Sequence, residues 1–484
     1  MKNKGLTSHL CVIDGRDHGS ESASWWTLVD PSSGRSFAQV PIADARLVDA
    51  ALQAAQTALP KWQSLTGGQR ANLLHALAGA VRRQEAGFAS TLSQESGKPV
   101  TAALDEVHSA ASLIDYFAQE SLRLAGHIPL LGHPRQEVLI VREPVGVVVA
   151  ITPFNYPLST LICKLAPALA VGCTVVAKPD EHTPLCAIRL ARMAVEVGMP
   201  TGVFNVVTGT GPETGQVLVT HPLPRLVAFT GSTVVGKSIL AASASGVRRT
   251  ILELGGNCPA VICADASWQE VIPQVVRQTF KNSGQYCYRI SRLFVAERIY
   301  PEFFEAFLQY AARLKVGPAN DPDTDLGPLN NPEIHSRVRQ QVETALQEGA
   351  RIELGGEGAT HGLPENGYYY PPTVLTQVHP DMSIMQEEVF GPVVTVQSFT
   401  DMEATIRQAD ATPYGLAAYL FTRNLGNALD WARQLECGSV WINQIHQAYP
   451  EAPFGGIKES GLGREKSHFG IEEYTELKTI YLSY

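Results

Sequence analysis

Apolar and polar positions follow two different patterns along the chain. Between about residues 44 and 125 the apolar side chains recur at helical spacing, as at Leu73, Leu74, Leu77 and Val81. That period predicts a run of helices, and the segment Glu-Ser-Gly-Lys-Pro at 95–99 is typical of a helix end. From residue 145 onward, short β-branched runs alternate with helical segments, so the pattern predicts strands and helices in turn.

Four of these runs have the length and composition of buried strands. They cover residues 147–151, 174–177, 204–207 and 226–229, and helical patterns such as that of residues 185–197 lie between them. Alternation of this kind predicts an α/β fold with an open parallel sheet, which binds nucleotides beyond the carboxyl ends of its strands.

The rest of the chain contains a second α/β region and a terminal strand. The region follows Gly256 and extends to about Lys458, with strands predicted at 260–263 and 293–295. The terminal strand, at 478–484, has no obvious partner nearby in the sequence. Because an unpaired strand exposes its backbone groups, we expect this one to have a role between subunits.

Composition narrows the class of protein. A chain of 484 residues is too long for one hydrophobic core, so two or three domains are expected. The net charge of -9 argues against a nucleic-acid or anionic-membrane partner. The N-terminus shows no apolar signal region, and no run of about 18 apolar residues occurs. We therefore expect a cytoplasmic protein without a membrane segment.

Eight cysteines are spread along the chain. None forms a CxxC pair or a zinc-finger spacing, so neither a disulfide framework nor a metal site is predicted. Most are expected to be inert buried residues, so a reactive cysteine has to be identified from its surroundings.

Cys287 and Glu253 lie in two short segments marked by glycine. The first reads Ser-Gly-Gln-Tyr-Cys-Tyr-Arg at 283–289, and the second reads Leu-Glu-Leu-Gly-Gly at 252–256. A thiolate can attack a carbonyl carbon, and a carboxylate can activate the water that later releases the product. Asn155, in a proline-bounded turn, can donate to a developing oxyanion, although asparagine in a turn is more often only a turn former.

A possible phosphate-binding turn contains Gly231, Ser232 and Gly236. It joins the strand predicted at 226–229 to a helix, so backbone amides at the helix N-terminus could approach a pyrophosphate. The spacing is not GxGxxG, and an ordinary strand–helix turn would look the same. The rival glycine-rich segment at 209–215 contains a proline, which lacks the amide hydrogen needed there.

Two further pairs of residues could contact a dinucleotide. Lys178 and Glu181 follow the strand predicted at 174–177 and could hold the adenosine ribose. An acid at that position repels a 2′-phosphate and so favours NAD over NADP. Glu388 could bond a ribose while Phe390 packs on a nicotinamide face, although a simple loop at a strand end would look the same.

Taken together, these segments resemble the NAD(P)-dependent aldehyde dehydrogenase superfamily over nearly the whole chain. The matching segments are Pro-Phe-Asn-Tyr-Pro at 153–157, Lys-Pro-Asp-Glu at 178–181, Phe-Thr-Gly-Ser at 229–232, Glu-Leu-Gly-Gly at 253–256, Gly-Gln-Tyr-Cys at 284–287, Glu-Val-Phe-Gly-Pro at 388–392 and Pro-Phe-Gly-Gly at 453–456. Their order also matches, which makes the set far more specific than any one segment.

The resemblance implies a reaction and a set of residue roles. Cys287 would form a thiohemiacetal whose oxyanion is stabilised by Asn155 and the Cys287 amide, hydride would pass to NAD, and Glu253 would promote hydrolysis of the thioester. Lys164 and Glu476 match positions proposed to relay protons to the base. The expected cofactor contacts are Lys178, Glu181, Ser232 and Glu388, with Phe390 beside the nicotinamide. The residues expected around the aldehyde are Tyr156, Cys163, Tyr286, Tyr288, His446 and Phe454.

The resemblance also implies an architecture and an assembly. A Rossmann-like NAD-binding domain would comprise residues 1–125 and 146–255, and a catalytic α/β domain residues 256–459. A β oligomerisation arm would join 126–145 to 471–484, so a homodimer or homotetramer is expected.

The substrate and two alternative functions stay open at this stage. Three tyrosines and a histidine favour a small polar, semialdehyde or aromatic aldehyde, and the general pattern is nearest to lactaldehyde and succinate-semialdehyde dehydrogenases. Arg289 could pair with a substrate carboxylate, but bracing the catalytic loop is the slightly favoured interpretation. A CoA-acylating enzyme or a non-catalytic binding relative are alternatives. Both commonly lack residues that are present here, such as Glu253.

Overall fold

The computed structural model describes residue 3 and residues 5–132, 135–356 and 362–484. Its helices are α1 (Ala45–Gln63), α2 (Gly67–Arg83), α3 (Glu85–Ser96), α4 (Val100–Glu120), α5 (Pro157–Val171), α6 (Leu185–Glu196), α7 (Gln216–Thr220), α8 (Thr233–Ser243), α9 (Trp268–Phe280), α10 (Tyr300–Ala312), α11 (Pro332–Gln347), α12 (Ser383–Gln386), α13 (Met402–Asp410), α14 (Leu425–Gln434) and α15 (Ser467–Glu472).

The strands fall into two large sheets and three small ones. They are β1 (Thr7–Ser8), β2 (Cys11–Ile13), β3 (Arg16–His18), β4 (Trp25–Asp30), β5 (Arg35–Pro41), β6 (Gln136–Pro144), β7 (Val147–Ile151), β8 (Thr174–Lys178), β9 (Phe204–Val206), β10 (Leu226–Thr230), β11 (Arg249–Glu253), β12 (Cys258–Ile262), β13 (Ile290–Ala296), β14 (Arg351–Leu354), β15 (Thr373–Thr376), β16 (Val393–Phe399), β17 (Tyr414–Gly415), β18 (Ala417–Phe421), β19 (Ser439–Ile442), β20 (Ile457–Lys458), β21 (Gly461–Leu462) and β22 (Thr475–Ser483).

The predicted helical region is confirmed as α1 to α4, and local sequence sets its boundaries. Thr66 and Gln69 form a capping box that satisfies exposed backbone amides at the start of α2. Gly97 ends α3 in a left-handed conformation, with φ of 77°, which glycine adopts without a Cβ clash. The helix end predicted at 95–99 is therefore confirmed.

The first large sheet has the strand order β21-β11-β10-β7-β8-β9-β2-β3. Its five central strands, β11, β10, β7, β8 and β9, are parallel, so their carboxyl ends meet at one edge. The predicted α/β fold with parallel sheets is confirmed. The predicted all-parallel first sheet differs at both sides, because β2 and β21 pair with it in the antiparallel sense. The N-terminal strands β1 to β5 had no clear signal in the sequence.

The second large sheet has the order β14-β15-β16-β13-β12-β18-β19 and is parallel except for β14. Buried apolar residues lie on both of its faces, under α9 and α10 on one side and under α11 on the other. Strand β21 leaves this part of the chain and pairs with β11, with Gly461 opposite Glu253. This crossover carries the segment after residue 462 to the carboxyl edge of the first sheet.

The terminal strand β22 pairs with β6 over its full length, from Thr475 opposite Pro144 to Ser483 opposite Gln136. The ribbon has only two strands. An antiparallel bridge joins His127 to Ile140 on the outer edge of β6, whereas the outer edge of β22 has no β partner among the described residues. Tyr481 is 78% exposed on it. Such a ribbon needs further contacts for stability.

The division into domains stays a prediction. Across the described ranges, no helix is long and apolar enough to span a bilayer.

Candidate active site

The loop that carries Cys287 has an unusual backbone. It leaves α9 through Asn282, Ser283 and Gly284, which all have left-handed conformations, with φ of 51°, 54° and 71°. A Cβ at Gly284 would lie 2.0 Å from the Gly391 carbonyl oxygen, so only glycine fits there. Left-handed non-glycine residues store strain that surrounding contacts have to hold, and they are common at functional sites.

Side chains from other elements hold this loop. Ser283 Oγ donates to the Gly327 carbonyl at 2.6 Å, and Gln285 Oε1 accepts from the Asn330 amide at 2.9 Å. The loop before Cys287 is therefore tied to a separate part of the chain.

Asn155 lies against the same loop. It follows β7, and its Nδ2 donates to the Gln285 carbonyl at 2.8 Å, while its own carbonyl accepts from Asn282 Nδ2 at 3.2 Å. A side-chain amide has two N–H groups, so one hydrogen of Asn155 is available for another acceptor. The structure therefore places the Asn155 amide against Gln285, which lies two residues before Cys287 in the same loop.

Glu253 ends β11 as a buried carboxyl group. It is 2% exposed, and neither carboxyl oxygen has a hydrogen-bond partner among the described residues. A Cβ at Gly455 would lie 2.6 Å from its Oε1, so this glycine makes room for the side chain. Burial, followed by the charge of Glu465, raises the pKa of Glu253 well above its ordinary value. A carboxyl group of this kind can accept a proton near neutral pH.

The Cys287 thiol is one of two half-buried cysteines, the other being Cys437, and the remaining six are buried. Burial, followed by the charges of Glu388, Cys258 and Glu253, raises the pKa of Cys287 well above its ordinary value. The thiol is therefore neutral in the free protein, and the proton has to leave before the sulfur can act as a nucleophile.

The structure corrects the predicted proton relay. Lys164 is fully buried and donates to Glu465 Oε1 and to Thr230 Oγ1, both at 2.5 Å. Glu476 instead lies exposed on β22 and pairs with Arg249 at 2.9 Å, away from Lys164. Glu465 was missed because only the crossing of β21 onto β11 brings its segment to Glu253.

Replacing Glu465 with glutamine is expected to shift the pH dependence of turnover. The change removes the charge that raises the pKa of Glu253, so this carboxyl would ionise at lower pH. We expect the acid limb of the kcat profile to move to lower pH. Steady-state kcat measured across the acid and neutral range gives the shift.

Glu476→Gln provides the matched comparison for that variant. Because Glu476 bonds Arg249 on the surface, the same limb is expected to stay in place. A shift in Glu476→Gln with none in Glu465→Gln would restore the assignment made from the sequence.

The turn after β10 fits a dinucleotide phosphate. Ser232 caps α8 by accepting from the Val235 amide at 3.4 Å, and Val234 and Val235 are exposed in the first turn of the helix. Gly231 donates its amide to the Glu253 carbonyl at 3.0 Å, so the turn lies beside β11. Gly236 leaves room for the Leu254 side chain, because a Cβ at this position would lie 2.4 Å from it.

Lys178 and Glu181 lie together at the carboxyl end of β8. Lys178 Nζ donates to the Gly209 carbonyl at 2.7 Å and lies 3.4 Å from Glu181 Oε2. The neighbouring Asp180 pairs with His182 at 2.8 Å, so it is already occupied. Glu181 is therefore the acid of this turn best placed for a ribose hydroxyl.

Glu388 and Phe390 lie in the loop between α12 and β16, and Glu388 reaches the turn that follows β11. Glu388 Oε1 accepts from the Gly256 amide at 2.9 Å, and a Cβ at Gly255 would lie 2.8 Å from its Oε2. The Phe390 ring packs edge-on against Phe154 at 5.8 Å. The geometry fits a nicotinamide ribose held between β11 and the Cys287 loop.

Most of the predicted aldehyde-channel residues lie around Tyr288. Its ring is 4.0 Å from His446 and 5.5 Å from Phe454, and all three are half-buried. Tyr286 packs 4.9 Å from Tyr288 but is 1% exposed, and its hydroxyl donates to the Gln278 carbonyl. Tyr286 is therefore a buried residue that packs against Tyr288.

The last two channel residues lie on the side of α5. The Tyr156 ring lies 3.5 Å from Lys98 Nζ. Burial, followed by the charges of Glu106 and Cys287, raises the pKa of the Tyr156 hydroxyl. Burial, followed by the charge of Glu465, raises the pKa of Cys163 to about 12, so this thiol is inert near the base.

Arg289 does not face the substrate. Its buried guanidinium donates to the carbonyls of Val389 at 2.9 Å and Val393 at 2.6 Å. The structure therefore supports the interpretation that Arg289 braces the catalytic loop, and the substrate-carboxylate alternative is wrong for this residue.

Known proteins resemble this chain in sequence and in fold. The sequence model of the aldehyde dehydrogenase family matches residues 19–480. The chain is 40% identical to the mitochondrial succinate-semialdehyde dehydrogenase of Oryza sativa subsp. japonica, over 99% of this chain and 90% of that one. It is 37% identical to the NADP(+) succinate-semialdehyde dehydrogenase of Escherichia coli K12, over 99% and 98%. The structure of Staphylococcus aureus betaine aldehyde dehydrogenase with NAD+ has a TM-score of 0.95 at 34% identity, over 99% and 97%. The chain therefore belongs to the aldehyde dehydrogenase family and is an aldehyde-oxidising enzyme.

Proposed function

We propose that this enzyme oxidises an aldehyde to a carboxylic acid with NAD, through a thioester on Cys287 that water hydrolyses with Glu253 as general base. The observation that carries the proposal is the buried carboxyl group of Glu253, whose oxygens have no hydrogen-bond partner in the described part of the chain. A buried polar group without a partner is costly and is more typical of function than of stability.

The first half of the reaction needs a nucleophile and a place for negative charge. The half-buried Cys287 thiol gives its proton to solvent, and the sulfur attacks the aldehyde carbon to form a thiohemiacetal. The remaining N–H of Asn155 and the Cys287 amide supply hydrogen bonds to the oxyanion. Lys178, Glu181, Ser232 and Glu388 would hold the dinucleotide, which would supply the hydride acceptor needed to convert the thiohemiacetal to a thioester.

The second half needs an activated water. Glu253 takes a proton from water, the hydroxide adds to the thioester carbon, and the carbon–sulfur bond breaks to release the acid and return the thiolate. The Glu465–Lys164 pair lies beside Glu253 and influences its pKa in opposite directions. Their contact with each other and their charge effects on Glu253 support a role in carrying the proton away from the base.

Glu181 supports NAD as the preferred cofactor. Its carboxylate would bond a ribose hydroxyl and repel a 2′-phosphate. Relatives of this chain differ in cofactor, since the E. coli relative is named for NADP(+) and the S. aureus structure contains NAD+. The preference therefore has to come from the local residues.

Replacing Glu181 with alanine is expected to relax this preference. Loss of a hydrogen bond to a charged group, together with loss of repulsion, raises the ratio of kcat/KM with NADP to that with NAD about tenfold. Asp180→Asn is the control, because Asp180 already pairs with His182. An unchanged ratio in Glu181→Ala would remove its ribose role.

The proposed substrate is a small polar aldehyde, a semialdehyde or an aromatic aldehyde. The aromatic rings of Tyr288, His446 and Phe454 support this size and character. Names of relatives do not decide the substrate, because succinate semialdehyde and betaine aldehyde carry opposite charges.

A coupled assay tests the proposal as a whole. The enzyme is mixed with NAD and a panel of semialdehydes, hydroxyaldehydes and benzaldehydes, with and without CoA, and both reduced cofactor and acid are measured. We expect one free acid for each reduced cofactor formed, at a rate independent of CoA. Formation of an acyl-CoA, or no turnover with any aldehyde, would contradict the proposal.

The two-stranded ribbon of β6 and β22 supports a homo-oligomer. The outer edge of β22 carries backbone groups without a β partner in the ranges described, and Leu477, Tyr481 and Leu482 are exposed on this strand. We propose that a second copy of this chain covers the ribbon in a homodimer or homotetramer, which sedimentation analysis would measure.

A further inference from the structure

Two lysines lie over the aromatic cluster beside Cys287. Lys281 is the first residue after α9, and its Nζ is 4.9 Å from the Tyr286 ring centre and 5.4 Å from that of Tyr288. Lys466 precedes α15, and its Nζ is 5.1 Å from the Phe454 ring centre. Both lysines are half-buried, so they line the partly open side of the cluster.

Neither ammonium group is held in a direct ion pair within the described ranges, although the charge of Lys466 acts on the Glu253 carboxyl. Neither lysine side chain has an ion-pair or hydrogen-bond partner among the residues that the structure describes. Lys98, another lysine nearby, is held in an ion pair with Glu106. Lys281 and Lys466 therefore differ from ordinary salt-bridged lysines.

The remaining charged and titratable groups around Lys281 do not supply an anion. Arg277, in the last turn of α9, adds a further positive charge. Burial raises the pKa of the Tyr286 and Tyr288 hydroxyls, and burial followed by the charges of Lys466 and Lys281 lowers the pKa of His446. These three rings are thus neutral near pH 7, and the wall next to the thiol is positively charged.

We infer that Lys281 and Lys466 bind the anionic end of the substrate, so that the preferred aldehyde is a short one carrying a carboxylate or sulfonate. The inference rests on the proposed function and narrows its substrate class. An anion placed between two half-buried ammonium groups forms charge-assisted hydrogen bonds, while the aromatic rings pack against the short carbon chain. It also removes the repulsion between the two lysines.

The charge of Lys281 makes this binding depend on pH. Burial, followed by the positive charges of Arg277, Lys98 and Lys466, lowers the pKa of Lys281 to about 7. Lys281 is therefore charged below that pH and neutral above it in the free enzyme. Affinity for an anionic aldehyde is therefore expected to fall as the pH rises through about 7. Affinity for a neutral aldehyde is expected to stay unchanged over the same pH interval.

A matched pair of substrates isolates the contribution of the anion. 4-Oxobutanoate carries a carboxylate, and 4-oxopentanal has nearly the same shape with a methyl ketone in its place. The ratio of their kcat/KM values cancels the pH dependence of Cys287, because both react through the same thiol. A parallel measurement with 3-sulfolactaldehyde distinguishes sulfonate from carboxylate recognition.

Lys281→Met is expected to lower the preference for 4-oxobutanoate over 4-oxopentanal by about 10- to 100-fold, the usual value of a hydrogen bond between charged groups. Most of the loss is expected in KM. Lys466→Met has the same direction of effect. Lys61→Met, on an exposed surface of α1, is the control for loss of a lysine and is expected to keep the wild-type ratio.

Lys281→Arg tests the same claim without removing the charge. A guanidinium stays protonated throughout the neutral range, so this variant is expected to keep the preference and to lose its decline above pH 7. It also keeps the inference testable if the methionine variant does not fold.

Three outcomes would overturn the inference. They are a wild-type ratio near one, an equal loss with both substrates in Lys281→Met, or a pH decline in Lys281→Arg as large as in the wild type. If 4-oxopentanal is still oxidised in those cases, only the anion subsite fails. Loss of turnover with every aldehyde would instead contradict the proposed function.

Discussion

Replacing Cys287 with alanine is expected to lower kcat by at least about 1,000-fold, because no other group can form the covalent intermediate. The neighbouring Cys258 is buried, and burial raises its pKa to about 12. Its sulfur is already directed to the Cys287 carbonyl at 3.4 Å. Formation of reduced cofactor from a saturating aldehyde measures the loss.

Cys437→Ala is the control for this variant. Cys437 is the other half-buried cysteine, and its thiol donates only to the Ser439 carbonyl among the described residues. We expect wild-type turnover from it. Substantial turnover by Cys287→Ala would mean that oxidation does not pass through this sulfur.

Replacing Glu253 with glutamine is expected to separate the two halves of the reaction. The amide keeps the size of the side chain in the space beside Gly455 but cannot accept a proton from water. Hydrolysis slows, kcat falls by about 100- to 10,000-fold, and the first turnover still forms reduced cofactor. Stopped-flow absorbance would therefore show a burst close to one equivalent per active site, followed by a slow phase.

Hydroxylamine distinguishes slow hydrolysis from a general loss of structure. It attacks thioesters without needing a general base, so it is expected to raise the slow phase of Glu253→Gln. A variant that keeps the wild-type circular dichroism spectrum but shows neither a burst nor a response to hydroxylamine would show that Glu253 acts before the thioester is formed.

The sequence predicts those parts of the site that lie in short segments with a single possible chemistry. Asn155 follows β7 and Glu253 ends β11, and these two strands of one parallel sheet bring their carboxyl ends to the same edge. Cys287 lies in the glycine-marked turn before β13 of the second sheet. The helices α1 to α4 and the strands β7 to β10 follow from periodicity, which depends only on nearby residues.

Contacts formed by distant segments are not predictable in that way. Glu465 reaches Lys164 because β21 crosses back to β11, and no local pattern records this crossing. The sequence pointed to Glu476 instead, on a strand whose side chains face outward. A local pattern also cannot say which way Arg289 turns, since a buried guanidinium and a substrate-facing one have the same neighbours in sequence.

Lys281 was missed for a related reason. A lysine at the end of a helix is usually a solvated residue that favours the helix dipole. Only the packing of Lys466 and of the Tyr286 and Tyr288 rings around it shows that its charge lies beside the catalytic loop. Its role in substrate choice follows from the cluster and not from the residue type.

The most direct test of the covalent mechanism is intact mass spectrometry of Glu253→Gln quenched after mixing with NAD and 4-oxobutanoate. The account predicts an increase equal to the mass of the aldehyde less two hydrogens, located on the peptide of Cys287 and absent when Cys287 is alanine. Acid product and reduced cofactor formed without any such adduct, or the same adduct on another residue, would contradict it.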